Sequence, residues 1–362
     1  MAIKTTHVGS LPRPENLTEA NMDESVINVV KMQVEAGLDE VTDGEYRRSI
    51  FFGDIAGLPG FRQHAFPITA SAGDTVMLGV VESKITYDEH SPIIAREVEG
   101  TRAVLEKLGA KKRVKVTMPS LSWMSLFYPD TRTMPTKDDN FLGKSAIVVR
   151  ESYPTLDDYL SDMKMILINE ARAAINAGAD TVQFDSPDLL QFDIYGQYLE
   201  DRGKERLKFA IGLTNEVLEA LPQENVQVHS CWGNLMNTQF NTLGHYDLAL
   251  PELYELKAGT IGPLEVFDGI RDYDELKYFG DYPRPKGTTI ALGLVSVKSR
   301  NVEPVEVIRK RYEAAIKVVD EDRLIVSPGC GFASDPASLH TIESARRKLT
   351  NMVLALSSEQ KQ

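Results

Sequence analysis

Three residues whose side chains commonly bind metal ions carry the most specific chemistry in this sequence. His229 and Cys231 stand two apart at the end of the apolar run VQVHSCWGN, and Cys330 stands in a second glycine-containing turn, SPGCGF. Side chains of a strand alternate between its faces, so residues two apart point the same way. Imidazole nitrogen and thiolate sulfur are ligands that suit Zn²⁺. We therefore predict a zinc site that contains His229, Cys231 and Cys330.

A fourth ligand is expected, because zinc in proteins is usually bound by four groups. Glu265, which ends the run PLEVFD, is predicted to supply it. Glu252 is a rival, but it stands in a helical pattern where we expect it to be solvated. A Cys231–Cys330 disulfide is the alternative use of the two cysteines, and a reducing cytosol disfavours it. Two thiolate ligands make zinc a weak Lewis acid, so this site suits binding of a substrate thiolate.

The elements that must position these residues recur along the chain as short apolar runs that end in polar residues. Eight such runs are predicted to be strands, at 6–10, 40–45, 113–120, 181–187, 226–233, 262–268, 289–296 and 324–331. A helical pattern separates most of them, as at 304–323. Strands that alternate with helices predict a parallel sheet, and eight units predict an α/β fold of the (β/α)8 TIM barrel type. An open, doubly wound sheet is the alternative.

Two long stretches are predicted to be insertions in the loops after the second and third strands, at 46–100 and 120–154. Residues 74–90 in the first have the pattern of a hairpin. Residues 117–130 are rich in aromatic residues and methionine, which favours local core, with stacking on a flat donor as the alternative. No linker composition divides the chain, so we expect residues 1–362 to form a single barrel domain.

The charge and composition exclude several classes of function. The chain has 53 acidic and 40 basic residues and a formal net charge of -13, which argues against binding of nucleic acid or of an anionic membrane. No apolar run approaches the roughly 20 residues of a membrane span, and the N-terminus lacks a secretory signal pattern. Two cysteines provide no disulfide framework. We expect a cytoplasmic protein, and the sequence leaves a homo-oligomer open.

An ordered set of short motifs resembles a known family. THVGSLPRP, DGEYRR, QFDSP, HSCWGN, PLEVFD, LGLVSVKS and VSPGCGF are similar to the catalytic barrel of cobalamin-independent methionine synthase, over nearly the whole chain. That superfamily includes uroporphyrinogen decarboxylase and epoxyalkane:coenzyme M transferase. The resemblance implies the same four zinc ligands. It further implies that Ser10, Glu45 and Asp185 bind homocysteine, with Ser10 at its carboxylate and the two acids at its ammonium group.

The two acids also have a structural interpretation. Glu45 and Asp185 each end a predicted strand, where an acid can cap the following helix or pair with a neighbouring cation. Arg47 and Arg48 are such neighbours of Glu45.

The resemblance implies an enzyme, a zinc-dependent S-methyltransferase that moves a methyl group from an external donor to a thiol, giving methionine from homocysteine. The implied donor is methyl-folate or methylcobalamin, the latter carried on a corrinoid protein. The chain resembles the short, single-barrel members, and it is too short to include the N-terminal folate-binding barrel of full-length synthases. Lys298 stands where those synthases have a histidine thought to protonate the departing folate.

Two other functions compete with methyl transfer to homocysteine. An epoxyalkane:coenzyme M-type thiol alkyltransferase would use the same zinc site. Glu45 and Asp185 disfavour it, because two carboxylates would repel a sulfonate, although Arg47, Arg48 and Arg271 offer a site for one. A zinc-binding or corrinoid-binding partner protein without catalytic activity is the alternative from outside the enzymes.

Overall fold

The computed structural model of the chain describes residues 4–69, 75–128, 130, 132–133, 150–191, 203–234, 236–334 and 338–357. Its strands are β1 Lys4–Thr5, β2 Glu40–Val41, β3 Phe61–Thr69, β4 Thr75–Val81, β5 Arg113–Pro119, β6 Thr181–Asp185, β7 Val226–Ser230, β8 Thr260–Glu265, β9 Thr289–Val295 and β10 Leu324–Pro328. Its helices are α1 Met22–Glu35, α2 Ile94–Leu108, α3 Leu121–Ser125, α4 Leu156–Asn176, α5 Gly203–Leu218, α6 Tyr246–Leu253, α7 Tyr273–Asp281, α8 Val305–Ala315 and α9 Ile342–Leu356.

Eight of these strands form one parallel sheet in the order β1-β10-β9-β8-β7-β6-β5-β2. Each of the eight predicted runs contains one of them or directly follows or overlaps one. The two strands at the ends of this order approach each other, because the Asp39 amide donates a hydrogen bond of 3.3 Å to the Thr5 carbonyl. The order never reverses, whereas a doubly wound sheet reverses at a switch point. The predicted α/β fold with a curled parallel sheet is therefore confirmed.

Helices between the strands form because their sequences combine apolar periodicity with defined ends. The longest, α4, begins at Thr155, whose hydroxyl accepts a hydrogen bond from the Asp158 amide while the Asp158 carboxylate accepts one from the Thr155 amide. This reciprocal pair satisfies two amides that a helix start otherwise leaves unpaired. At the C-terminal end of α2, Gly109 takes a left-handed conformation with φ 61°. Glycine reaches this conformation without a steric penalty, so the chain turns there into β5.

A two-stranded antiparallel hairpin, β3–β4, lies within the first predicted insertion. The hairpin pairs Phe61–Thr69 with Thr75–Val81, so its first strand precedes the stretch 74–90 that predicted it. Residues 82–90 form no strand. Much of the second predicted insertion, 134–149, lies outside the described residues. Across the part of the chain that the structure describes, no helix is long and apolar enough to cross a membrane.

The inside of the sheet is polar at its centre, although barrel interiors are usually filled by branched apolar residues. Gln227 on β7 donates a hydrogen bond of 2.9 Å to Gln183 on β6, and Gln183 donates one of 2.7 Å to the Asp185 carboxylate. Lys115 on β5 is buried beside Glu40, with 3.8 Å between Nζ and Oε2. These side chains form a hydrogen-bonded support beneath the carboxyl ends of the strands.

Candidate metal and substrate site

A cavity of about 110 Å³ opens at the carboxyl ends of the parallel strands. This is the end of the sheet where ligands bind in parallel α/β folds. Six of the seven predicted site residues line this cavity, namely Ser10, Glu45, Asp185, His229, Cys231 and Cys330. The seventh, Glu265, is fully buried and is not among the described residues that line it.

The metal cluster, defined as His229, Cys231 and Cys330, consists of three buried side chains whose ligand atoms lie within 4.8 Å of one another. The Cys330 sulfur is 3.1 Å from the Cys231 sulfur and 3.8 Å from His229 Nε2. His229 Nδ1 lies 2.7 Å from the Pro263 carbonyl, which can only accept a hydrogen bond. Nδ1 therefore carries the proton, and Nε2 is left to bind a metal through its lone pair.

The two cysteines of the metal cluster differ in their acidity. Both are free thiols, so the disulfide alternative is not observed. The hydrogen bond from Cys330 holds the pKa of the Cys231 thiol well below its ordinary value, whereas burial raises the pKa of Cys330. A lowered thiol pKa favours the thiolate form, which is the form in which cysteine binds a metal ion.

Glu265, the predicted fourth ligand, is buried near the two cysteines, but it is not one of the three residues whose ligand atoms lie within 4.8 Å of one another. Its Oε1 atom is buried and accepts no hydrogen bond from the described residues, while Oε2 lies 3.4 Å from the Trp232 amide. Burial raises the pKa of Glu265 to about 8 even though Lys298 Nζ lies 3.4 Å from Oε1. A buried carboxylate oxygen without a donor costs free energy unless a cation binds it. The four donors therefore fit a thiophilic divalent cation such as zinc.

The acid pair, defined as Glu45 and Asp185, lines the same cavity as the metal cluster. Asp185 ends β6 and pairs in register with His229 on β7, so both side chains lie at one level. Burial raises the pKa of Asp185 to about 7, with His229 opposing and Glu45 adding to this effect. A second cation-binding feature therefore lies beside the metal cluster, because a buried carboxyl group is stabilised in its charged form by a positive partner.

Glu45 is held in place by a buried network. Its Oε1 atom accepts a hydrogen bond of 2.8 Å from the Thr117 hydroxyl and lies 3.4 Å from Arg48 Nη2. The residue has φ 58°, a left-handed conformation that is unusual for a glutamate. Arg13 donates a hydrogen bond of 2.8 Å to the Glu45 carbonyl and stabilises this turn. Such local strain is often found where a side chain must be aimed into a site.

The structural interpretation of Glu45 is partly correct, because Arg48 pairs with it. Arg47 instead pairs with Asp23 at 2.8 Å on the surface. Asp185 has no arginine partner among the described residues, and its hydrogen bond comes from Gln183. Pairing with a neighbouring cation and binding of a substrate ammonium are compatible for Glu45, since its carboxylate also lines the cavity.

Ser10 connects the two sides of the cavity. Its carbonyl accepts a hydrogen bond of 3.0 Å from the Phe332 amide, two residues beyond Cys330. Its hydroxyl approaches Gly331 so closely that a Cβ there would lie 2.1 Å from Oγ. Glycine at 331 is thus required by the close approach of the serine side chain. The hydroxyl lies where it can contact a ligand bound between the metal cluster and the acid pair.

An aromatic wall closes another part of the cavity. Phe51 and Phe52 pack against Trp123 with ring centroids 5.2 Å and 5.8 Å away. Trp123 lies on α3, in the stretch 117–130 that was predicted to be local core, and it is buried there. It also lines the cavity, and its indole N–H has no acceptor among the described residues. The stretch therefore serves both as core and as cavity wall.

Several features of the site were missed by sequence reasoning. Glu252 is buried rather than solvated, and it lies on α6, 3.7 Å from Lys204 and apart from the metal cluster. The support of Asp185 by Gln183 had a signal, because residues two apart on a strand share a face. No sequence signal predicted the contact between Lys298 and Glu265, because it joins the loop after β9 to the end of β8.

Comparisons with known proteins agree with this geometry. Residues 142–357, more than half of the chain, match the family described as cobalamin-independent synthase, catalytic domain. The matched region includes the metal cluster, Glu265 and Asp185, and it excludes Ser10 and Glu45.

Individual relatives match over most of their length. An uncharacterized protein from Bacillus subtilis is 25% identical over 97% of this chain and 93% of its own. A methionine synthase from Sulfolobus acidocaldarius is 24% identical over 97% of this chain and 90% of its own.

A solved structure shows the same fold. It is a B12-independent methionine synthase from Shewanella sp. W3-18-1 in complex with selenomethionine, with a TM-score of 0.72, 20% sequence identity and coverage of 98% of this chain and 97% of its own. These matches favour the methionine synthase interpretation over the coenzyme M alternative. The chain belongs to the family of cobalamin-independent synthase catalytic domains, and it is a methyltransferase.

Proposed function

We propose that the protein is a zinc-dependent S-methyltransferase that moves a methyl group from an external donor to homocysteine, giving methionine. One observation carries this proposal: the metal cluster and the acid pair line the same cavity. An acceptor that carries both a thiol and an ammonium group matches these two features. We further propose that residues 1–362 form one domain and that the sheet closes as a (β/α)8 barrel where Asp39 meets Thr5.

The metal would be held by His229, Cys231, Cys330 and Glu265. Bound zinc would supply one property, a lowered pKa of the acceptor thiol, which otherwise lies near 8.5 and leaves the sulfur mostly protonated. The orphan Oε1 of Glu265 and the hydrogen-bonded Nδ1 of His229 support this ligand set.

The other end of the acceptor would be bound by the acid pair and Ser10. Asp185 and Glu45 pair with the ammonium group, and the Ser10 hydroxyl donates to the carboxylate. Thr117, Arg48 and Gln183 already fix the directions of the two acids. The acceptor is therefore held at three points, and its sulfur is oriented toward the incoming methyl group, which is how positioning contributes to rate.

The methyl donor would enter along the aromatic wall. Phe51, Phe52 and Trp123 offer flat apolar surface to a pterin or corrin ring, and the free indole N–H of Trp123 can donate to a ring acceptor. In the transfer, the sulfur–methyl bond forms while the bond from methyl to donor breaks, and the electron pair leaves with the donor. The wall keeps water away from the methyl group during this step.

A panel of donors tests this proposal. The purified, zinc-loaded protein is given homocysteine with methyl-tetrahydrofolate, its polyglutamate, methylcobalamin or a methylated corrinoid protein, and methionine is measured by mass spectrometry. We expect one donor class to give repeated turnover. Coenzyme M serves as the control acceptor, because the acid pair should exclude its sulfonate. A protein that binds zinc and homocysteine but forms no methionine with any donor would be a binding partner and not the proposed enzyme.

A further inference from the structure

Lys298 lies in the loop after β9, and its side chain is buried against the residues that surround the metal cluster. We propose that Lys298 is a positioning residue that fixes Glu265 and the turns after Cys231 and Cys330 for metal binding, and that it does not protonate the departing donor. This inference rests on the proposed zinc site.

The contacts of the Lys298 ammonium group direct it toward the turn after Cys231 and toward Glu265. An ammonium group has three N–H bonds. Lys298 Nζ donates to the Gly233 carbonyl and, at 2.7 Å, to the Asn234 side-chain oxygen, and it lies 3.4 Å from Glu265 Oε1. Two of the three N–H bonds are thus used in hydrogen bonds, and the ammonium group also lies at ion-pair distance from the Glu265 carboxylate. Lys298 is also not among the described residues that line the cavity.

Asn234 extends the influence of Lys298 to the second cysteine. Its side-chain nitrogen donates hydrogen bonds to the Gly331 carbonyl at 2.7 Å and to the Ser334 hydroxyl at 3.0 Å. Gly233 and Asn234 follow Cys231, and Gly331 follows Cys330. One buried lysine therefore connects the turns of both cysteines with the carboxylate of Glu265.

The backbone that carries Lys298 is itself anchored. The Ser296 amide donates to Glu303 at 2.8 Å, and Lys348 donates both to the Ser296 carbonyl at 2.9 Å and to Glu303 at 2.6 Å. His340 Nε2 lies 2.9 Å from the Val297 carbonyl oxygen. Residues held in this way keep their geometry before a ligand arrives, which is what outer contacts of a metal site require.

The first experiment measures zinc affinity in Lys298→Met by competition with a chromophoric chelator. We expect zinc to bind about 10-fold to 100-fold more weakly, the usual range when an outer contact of a metal ligand is lost. Lys115→Met is the matched control, because it also removes a buried lysine beside a glutamate, but its hydrogen bonds are made to Thr6 and His7 and not to the turns of the metal cluster. Equal zinc affinity in Lys298→Met and the wild type, or an equal loss in Lys115→Met, would overturn the proposal.

A double-mutant cycle tests whether Lys298 acts through Glu265. Glu265→Gln and the double variant Lys298→Met/Glu265→Gln should bind zinc with affinities within about threefold of each other, because the second change finds its partner already gone. Fully additive losses contradict the proposed coupling. If Lys298→Met does not fold, Asn234→Ala takes its place in the zinc titration, and an unchanged affinity there overturns the proposal.

The pH profile separates positioning from proton donation. At saturating zinc, the alkaline limb of the methyl-transfer rate should be the same in the wild type and in Lys298→Met. If Lys298→Met loses the alkaline limb but binds zinc as tightly as the wild type, Lys298 is the general acid that protonates the donor. If the wild-type protein binds no zinc, the proposed function itself is refuted. If zinc affinity is unchanged in Lys298→Met, only this inference is refuted.

Discussion

The metal cluster and the acid pair line one cavity, yet their side chains differ in how many hydrogen bonds the rest of the protein gives them. Glu45 and Asp185 already receive hydrogen bonds from Thr117 and Gln183, so their directions are fixed without a ligand. Around the metal cluster, Glu265 has an oxygen without a donor, and the two sulfurs contact each other. The directions of the two acids are thus fixed within the protein, whereas the proposed metal site has a buried oxygen and two sulfurs that a cation could bind.

The largest effect should come from removing a sulfur ligand. Cys231→Ser and Cys330→Ser should each lose near-stoichiometric zinc and lower methyl transfer by on the order of 10³-fold or more, because the metal contributes several kcal/mol to the reaction. Metal content by mass spectrometry and methionine formation check this. The fold should survive, since the acid pair and its support do not depend on the metal, and unchanged zinc content in both variants refutes the metal cluster.

A smaller effect, on the other side of the cavity, is expected from Asp185→Asn. Loss of a charged hydrogen bond to the ammonium group costs about 1.5–3 kcal/mol, which corresponds to a rise in the KM for homocysteine of about 10-fold to 100-fold. Zinc content should stay at the wild-type level. Asp188→Asn is the matched control, because Asp188 is buried three residues away but is not among the described residues that line the cavity.

The same residue predicts a pH dependence. The pKa of Asp185 is raised to about 7, so below that pH the free enzyme carries a neutral carboxyl group there. Its affinity for an ammonium group should therefore increase as the pH rises through about 7, and the KM for homocysteine should fall. Asp185→Asn should remove this fall in the KM for homocysteine, which is the alkaline limb of its pH profile. A limb that persists in the variant would assign the titration to another group.

The smallest effects are expected from adding one methyl group beside Glu265 or beside Glu45. A Cβ at Gly329 would lie 2.7 Å from Glu265 Cγ, and a Cβ at Gly9 would lie 2.2 Å from Glu45 Oε1. Gly329→Ala should weaken zinc binding, and Gly9→Ala should raise the KM for homocysteine, each by about fivefold, equivalent to about 1 kcal/mol. The two substitutions serve as controls for each other, and crossed effects would show that the two sides are not independent.

The metal cluster could be predicted from sequence because the His229–Cys231 pair is local and because parallel strands bring Cys330 to the same edge of the sheet. A histidine and a cysteine two apart on a strand share a face, and both cysteines stand where strands end. The family match agrees with the predicted chemistry, whereas the roles of the individual residues remain predictions. The eight parallel strands could also be predicted, because apolar runs alternate with helical patterns along the chain.

Contacts between distant parts of the chain could not be predicted in this way. The burial of Glu252 depends on packing of α6 against its neighbours, and its partner Lys204 is far away in sequence. The left-handed turn at Glu45 depends on Arg13, which donates from another loop. The hairpin was shifted from its predicted position because strand pairing depends on register between two segments, and the pattern of one segment does not fix it.

The order of the site residues along the chain has a practical consequence. Every residue proposed to bind the metal lies between positions 229 and 330, whereas those proposed to recognise the amino-acid end of the acceptor lie at 10, 45 and 185. In the proposed function, the residues for specificity therefore all precede those for sulfur chemistry along the polypeptide. Libraries that vary only loops before residue 190 can be screened for new thiol acceptors while the proposed metal ligands are left unchanged.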